Sequence, residues 1–114
     1  MKTYTTGKSK ELYEINKKYL TNGVASTLHK SPYEEYPIFI DHAKGGRLYD
    51  VDGNMYVDYM GGFGPMILGY ANEELNNAVA KQLELGSHYA APTASLTQLC
   101  EKLVDIIPCA ERVS

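Results

Sequence analysis

The chain has 114 residues, 44% hydrophobic and 22% charged, proportions of an ordinary globular domain that exclude a fibrous, low-complexity or disordered protein. A net charge of −3, with both signs interspersed apart from the early lysines, leaves no electrostatic footprint for nucleic acid. Cys100 and Cys109 make neither a disulfide framework nor a zinc pattern, no run approaches the roughly 20 apolar residues of a membrane span, and Met1-Lys2-Thr3-Tyr4 leads into a polar stretch. A cytoplasmic protein with no metal, membrane or nucleic-acid partner is therefore expected.

Residues 8–20 read as an amphipathic helix, capped by Ser9, with Leu12, Ile15, Tyr19 and Leu20 close to one face; Asn22-Gly23 ends it. Residues 23–36, which include Ser26, His29, Ser31 and Pro32, show no sustained period. They predict a loop long enough to imply a role of its own. Ile38-Phe39-Ile40, Arg47-Leu48-Tyr49-Asp50 and residues 55–59 then read as three strands. The turns between them are Lys44-Gly45-Gly46 and Asp52-Gly53, so residues 37–59 predict an antiparallel meander.

Gly61-Gly62-Phe63-Gly64-Pro65 and the stretch to Tyr70 are too rich in glycine for a regular element. Asn72 is placed to cap a helix over 73–85, with Leu75, Ala78, Val79 and Leu83 as its buried stripe and Glu73 and Glu74 favoured by the helix dipole; Gly86 ends it. A polar connection through Ser87-His88-Tyr89 leads to Thr93, the expected cap of a helix over about 94–107. Its apolar face holds Leu96, Leu99, Cys100, Leu103, Val104 and Ile107, with Cys100 as a small hydrophobe, and Pro108 closes it. Residues 111–114 look like the opening of a further strand.

No P-loop, G-x-S-x-G elbow or H-E-x-x-H is present, and Gly61-Gly62-Phe63-Gly64 is not a dinucleotide fingerprint. Three stretches remain. Ser26 and His29 are three apart, a spacing more common in solvated loops than in catalytic pairs. The glycines around Phe63 allow close approach of a ligand or close packing of two elements. Ser87-His88-Tyr89 also fits an ordinary connection between helices. Composition and spacing alone stop at an α+β chain of unassigned function.

Taken together, several segments resemble the N-terminal part of class III aminotransferases, above all glutamate-1-semialdehyde aminomutases and their aminotransferase relatives. The likeness runs through Gly46-Arg47-Leu48-Tyr49-Asp50-Val51-Asp52-Gly53-Asn54, Tyr56-Val57-Asp58-Tyr59, Gly64-Pro65-Met66-Ile67-Leu68-Gly69, Ala91-Pro92-Thr93 and Leu103-Val104-Asp105-Ile106-Ile107-Pro108. It covers about residues 20–114 in the family's order and spacing. It implies that this α+β segment (N-terminal helix, three-stranded meander, two helices) belongs to a type I pyridoxal-phosphate transferase fold. Residues 1–36 would be an arm and substrate loop, 37–59 the meander, and 60–110 the glycine loop and two helices.

The resemblance also implies pyridoxal 5′-phosphate as cofactor, a small-molecule amino donor and carbonyl acceptor, and a homodimer with active sites at the subunit interface. The aminomutase stretch Gly-Val-Asn-Ser-Pro-Val-Arg, whose serine and arginine contact the substrate carboxylate, corresponds to Gly23-Val24-Ala25-Ser26-Thr27-Leu28-His29. Ser26 is kept, whereas an imidazole at His29 cannot give arginine's bidentate contact. Gly61-Gly62-Phe63-Gly64-Pro65 matches a Gly-Ser-Trp-Gly-Pro stretch, so Phe63 would wall the pocket without an indole N–H.

Ser26, His29 and Phe63 are thus the expected substrate-side residues, and His88 with Tyr89 are expected to reach the partner subunit's site. The family's phosphate-binding turn, Schiff-base lysine and pyridine-facing aspartate match nothing in this chain, and Lys30, Lys44, Lys81 and Lys102 have no counterpart as the catalytic lysine. The chain alone is expected to be inactive. A different outcome would be a non-catalytic binding module derived from the family, which would need a closed core of its own.

Overall fold

The computed structural model describes residues 4–30 and 33–113. Its elements are helix α1 (Gly7–Asn16), short 3-10 turns at Thr21–Gly23 and Thr27–His29, strands β1 (Ile40–Lys44), β2 (Arg47–Asp50) and β3 (Met55–Val57), and helices α2 (Glu73–Leu85) and α3 (Ala94–Ile106). The strands form one antiparallel sheet in the order β1-β2-β3, as the meander pattern predicts. The chain divides into two compact units between Asn76 and Asn77, so the glycine loop belongs with the meander.

In the first unit α1 is shorter than its pattern suggests, and Ser9 is not its cap. Thr6 occupies that position without a side-chain bond to the helix, its hydroxyl lying 3.0 Å from that of Tyr36 instead. Ser9 instead lies inside the first turn with no exposed surface, and Tyr13, one turn on, is 7% exposed. The face expected from Leu12, Ile15, Tyr19 and Leu20 is therefore wrong; Ile15 and Tyr19 are exposed. The reason is a polar partner that periodicity cannot show. The carboxylate of Asp52, on the β2–β3 connection, accepts from the Lys8 N–H at 2.8 Å, the Ser9 N–H at 3.0 Å and the Ser9 hydroxyl at 2.9 Å. A carboxylate from elsewhere in the chain thus satisfies the orphan donors at the helix start.

The Ser9 hydroxyl also accepts from the Phe39 N–H at 3.1 Å, tying α1 to the approach to β1. Strand β1 starts at Ile40 rather than Ile38, and its register with β2 shifts between Ile40 and His42. Asp50 closes the β2–β3 connection. Its carboxylate accepts from the Asp52 N–H at 3.0 Å, the Asn54 N–H at 2.7 Å, the Asn54 side-chain amide at 2.8 Å and the Tyr56 hydroxyl at 2.8 Å. Asp50 and Asn54 are buried, so what this unit buries is chiefly a satisfied polar network rather than an aliphatic core, with Tyr13 the buried hydrophobic residue among those described.

The second unit, 77–113, holds most of α2 and all of α3. Asn72 does cap α2, its side-chain oxygen accepting from the Leu75 N–H at 2.9 Å, and Gly86 ends it. The expected apolar stripes are not buried: Leu75, Val79, Leu83, Leu96 and Leu99 are all exposed, and neither helix has a buried residue among those described. Thr93 stands at the N-cap of α3, but its hydroxyl lies 3.0 Å from the Ser95 hydroxyl and bonds no helix N–H. Residues 111–113 form no strand; Ser114, the end of that expected segment, and Ser31-Pro32 of the long loop lie outside the described residues.

Candidate functional site

The site is built from the two irregular segments that flank the sheet in sequence. The first follows α1. The chain turns through Thr21–Gly23, with Asn22 at φ 59° and Gly23 at φ 70°, and then makes the turn Thr27–His29. Ser26 is the N-cap of that turn, its hydroxyl accepting from the Leu28 N–H at 3.3 Å, and the His29 N–H donates to the Ser26 carbonyl at 3.0 Å. Because the Ser26 oxygen is the acceptor, its own hydrogen stays available for another partner.

The second segment follows β3. Asp58 accepts from the Met60 N–H at 2.8 Å and the Gly61 N–H at 3.0 Å, an Asx turn that swings the chain away from the sheet. These backbone bonds hold the Asp58 carboxyl below the usual carboxylate range against the opposing effect of burial, with the Tyr70 hydroxyl helping. Burial and the same Asp58 contact push Tyr70 up. Phe63 follows this turn at φ 67°, a left-handed conformation that is rare for a large side chain and that clusters at functional sites. The turn's far end is tied to the sheet where Gly45 and Tyr70 exchange backbone bonds of 2.9 Å in both directions. Gly69 packs there so closely that a Cβ would lie 3.0 Å from the Gly45 backbone.

The two segments enclose an open cleft of about 570 Å³. Leu20, Val24 and Leu28 from the first segment, Pro37, Ile38, Phe39 and Leu48 from the sheet and its approach, and Met60 and Phe63 from the second segment line it, with His29, Asn16, Asp58 and Tyr70 as its polar groups. Of the sequence-based candidates, His29 and Phe63 are brought to one cleft. Ser26 shapes the turn that carries His29 and is not among the lining residues.

His88 and Tyr89 lie in the second unit. The His88 ring nitrogen is 2.9 Å from the Ser87 hydroxyl, and the Tyr89 hydroxyl donates to the Leu85 and Gly86 carbonyls at the end of α2. Asp58 and Tyr70 escaped the sequence reading, although an aspartate two or three residues before a Gly-Gly pair is a readable turn signal.

Pyridoxal phosphate needs a lysine amine for its aldehyde and a set of donors for its phosphate. The cleft lining includes no lysine or arginine. Lys17 pairs with Glu14, Lys30 donates to Tyr13, and Lys102 pairs with Asp105. The described residues do not fit the reactive end of that cofactor, and no step through it is derived from them. Nor do they include a cluster of His, Cys, Asp and Glu able to hold a metal.

Comparison with known proteins places the molecule. The sequence profile of class-III aminotransferases matches residues 29–114, and the chain belongs to that family. It is 49% identical over 106 residues to the glutamate-1-semialdehyde 2,1-aminomutase of Methanocaldococcus jannaschii, covering 93% of this chain and 24% of that one. Among solved structures, an omega-transaminase from Sphaerobacter thermophilus superimposes with a TM-score of 0.85 at 28% identity, covering 91% of this chain and 23% of the other. A transaminase with pyridoxal phosphate bound does so with a TM-score of 0.83 at 27% identity, covering 90% and 24%. The chain thus spans about a quarter of the length of the curated relatives it matches. Its helix, meander and two helices are an α+β segment of the fold of these pyridoxal-phosphate-dependent transaminases.

Proposed function

We propose that the cleft is the substrate-side wall of a pyridoxal-phosphate-dependent aminotransferase or aminomutase, which moves an amino group between a small amino compound and a carbonyl acceptor. The observation that carries this reading is the convergence of His29 and Phe63, from opposite sides of the sheet in sequence, on one cleft, with Phe63 held left-handed. Family membership supplies the reaction class, and the named relatives support both versions of it.

In this reading the cofactor and its lysine come from parts of the complete enzyme that this segment does not match, and the segment alone is inactive. Phe63 offers an apolar face to the substrate and His29 a single ring nitrogen in place of a forked guanidinium, while Ser26 acts by capping the turn that carries His29. A donor–acceptor pair that does not rely on a bidentate carboxylate contact fits these residues better than the aminomutase reaction. His88 and Tyr89 are proposed to face the partner subunit's site in a homodimer, in the cytoplasm. A free-standing binding module is disfavoured by the exposed apolar faces of α2 and α3.

Phe63→Ala in the complete enzyme tests the wall directly. Loss of a large apolar contact is expected to lower kcat/KM about tenfold or more, with the cofactor's absorbance retained. An unchanged kcat/KM would remove Phe63 from the pocket.

A further inference from the structure

The segment 23–30 that carries Ser26 and His29 has no strand pairing and little cover, yet both its ends meet one side chain on α1. At its start Gly23 lies against the Tyr13 ring so closely that a Cβ there would stand 2.5 Å from Cε2 and 2.8 Å from Cδ2. With φ at +70°, only glycine meets both the conformation and the contact. At its end the Lys30 amine donates to the Tyr13 hydroxyl at 2.8 Å, and the ammonium lies 5.0 Å from the ring centroid. Lys30 directly follows His29.

Tyr13 itself is 7% exposed and rides on the helix that Asp52 fixes to the β2–β3 connection through Lys8 and Ser9. A buried aromatic with its hydroxyl engaged is a rigid post, whereas the backbone bonds of the turn it holds are, among the described residues, local ones from His29 to Ser26 and from Lys30 to Thr27.

We propose that Tyr13 is a positioning residue: it pins the 23–30 segment at both ends, through Gly23 and Lys30, and so sets where His29 stands in the cleft. The inference rests on the reading of the cleft as the substrate wall for its effect on turnover, but not for its effect on the segment. Tyr13 is not itself among the residues that line the cleft, so its action is through the segment.

The test uses the complete enzyme with Tyr13→Phe, which keeps the packing on Gly23 and removes the bond to Lys30, and with Lys30→Met, which removes the same bond from the exposed side should the first variant fold poorly. Amide exchange across residues 24–29 is expected to accelerate about fivefold in both, the weight of one ordinary hydrogen bond. KM for the amino donor is expected to rise by about the same factor while kcat stays within about twofold. Lys30→Arg, which keeps a cationic donor, is expected to restore both readouts. Wild-type exchange in Tyr13→Phe and Lys30→Met would overturn the proposal. His29→Ala serves as the reference: if it leaves KM unmoved, the substrate-wall reading falls, while the exchange measurement still decides the anchoring.

Discussion

Asp50 ties β2 to the turn and to β3, since four donors converge on one buried carboxylate. Burial alone would raise its pKa, but the bonds from Asn54, Tyr56 and the Asp52 N–H outweigh it and bring the carboxyl below its ordinary value. At Asp52 too burial acts to raise the pKa, and the Lys8 and Ser9 donors outweigh it and hold the carboxyl below its ordinary value. Groups with depressed folded-state pKa values add stability that is present above the unfolded value of about 4 and is lost as pH falls through the folded value. Tyr56 behaves in the opposite sense. Burial and the neighbouring Asp50 push it up to about 12, so its contribution is full below about 10 and is lost as pH rises towards the folded value.

Urea midpoints measured against pH should therefore show a plateau with an acid limb below about 4 and an alkaline limb above about 10. Asp50→Asn should lower stability by about 1–3 kcal/mol and flatten the acid limb, whereas an unchanged limb would mean that the network does not govern acid unfolding. Little of this was legible beforehand. Ser9 reads as a cap because serine before an apolar stripe usually is one. Its actual partner stands in another element, and no local pattern reports a long-range acceptor.

The elements themselves were easier to read than their ends. Asn72, with Glu73 and Glu74 behind it, announces α2, and its side chain does accept from the Leu75 N–H at 2.9 Å. Asn72→Ala should cost the helix about 1 kcal/mol, seen as a loss of ellipticity at 222 nm and a lower midpoint; no change would show that the cap is redundant. Asp52-Gly53 announces the hairpin between β2 and β3, and Gly53 takes the positive φ that the turn needs. The start of β1 was misplaced because Ile38 and Phe39 look like strand residues. The Phe39 N–H is bonded to the Ser9 hydroxyl rather than to a strand. Both turns around the cleft stayed illegible as structure, since a loop's conformation depends on contacts made far away in sequence. What could be read there was the chemistry of His29 and Phe63, and only by likeness to a family.

For the whole molecule, the apolar stripes of α2 and α3 were correct as patterns, but the α2 stripe expected to be buried is exposed, as is the apolar face of α3. Leu75, Val79, Leu83, Leu96 and Leu99 are 45–59% exposed, values that suit a surface awaiting cover rather than a finished interior. The chain spans about a quarter of its curated relatives, and the cleft that joins His29 to Phe63 is one wall of a larger site in the reading advanced above. That reading makes His29 the residue that discriminates between substrates by charge. The most direct test is His29→Arg in the complete enzyme, scored by kcat/KM for amino donors that bear a carboxylate against donors that lack one. A forked guanidinium in the cleft should shift the ratio towards the carboxylate-bearing donors by about tenfold or more. A ratio unchanged from wild type would mean that His29 does not face the substrate and that the cleft is not its wall.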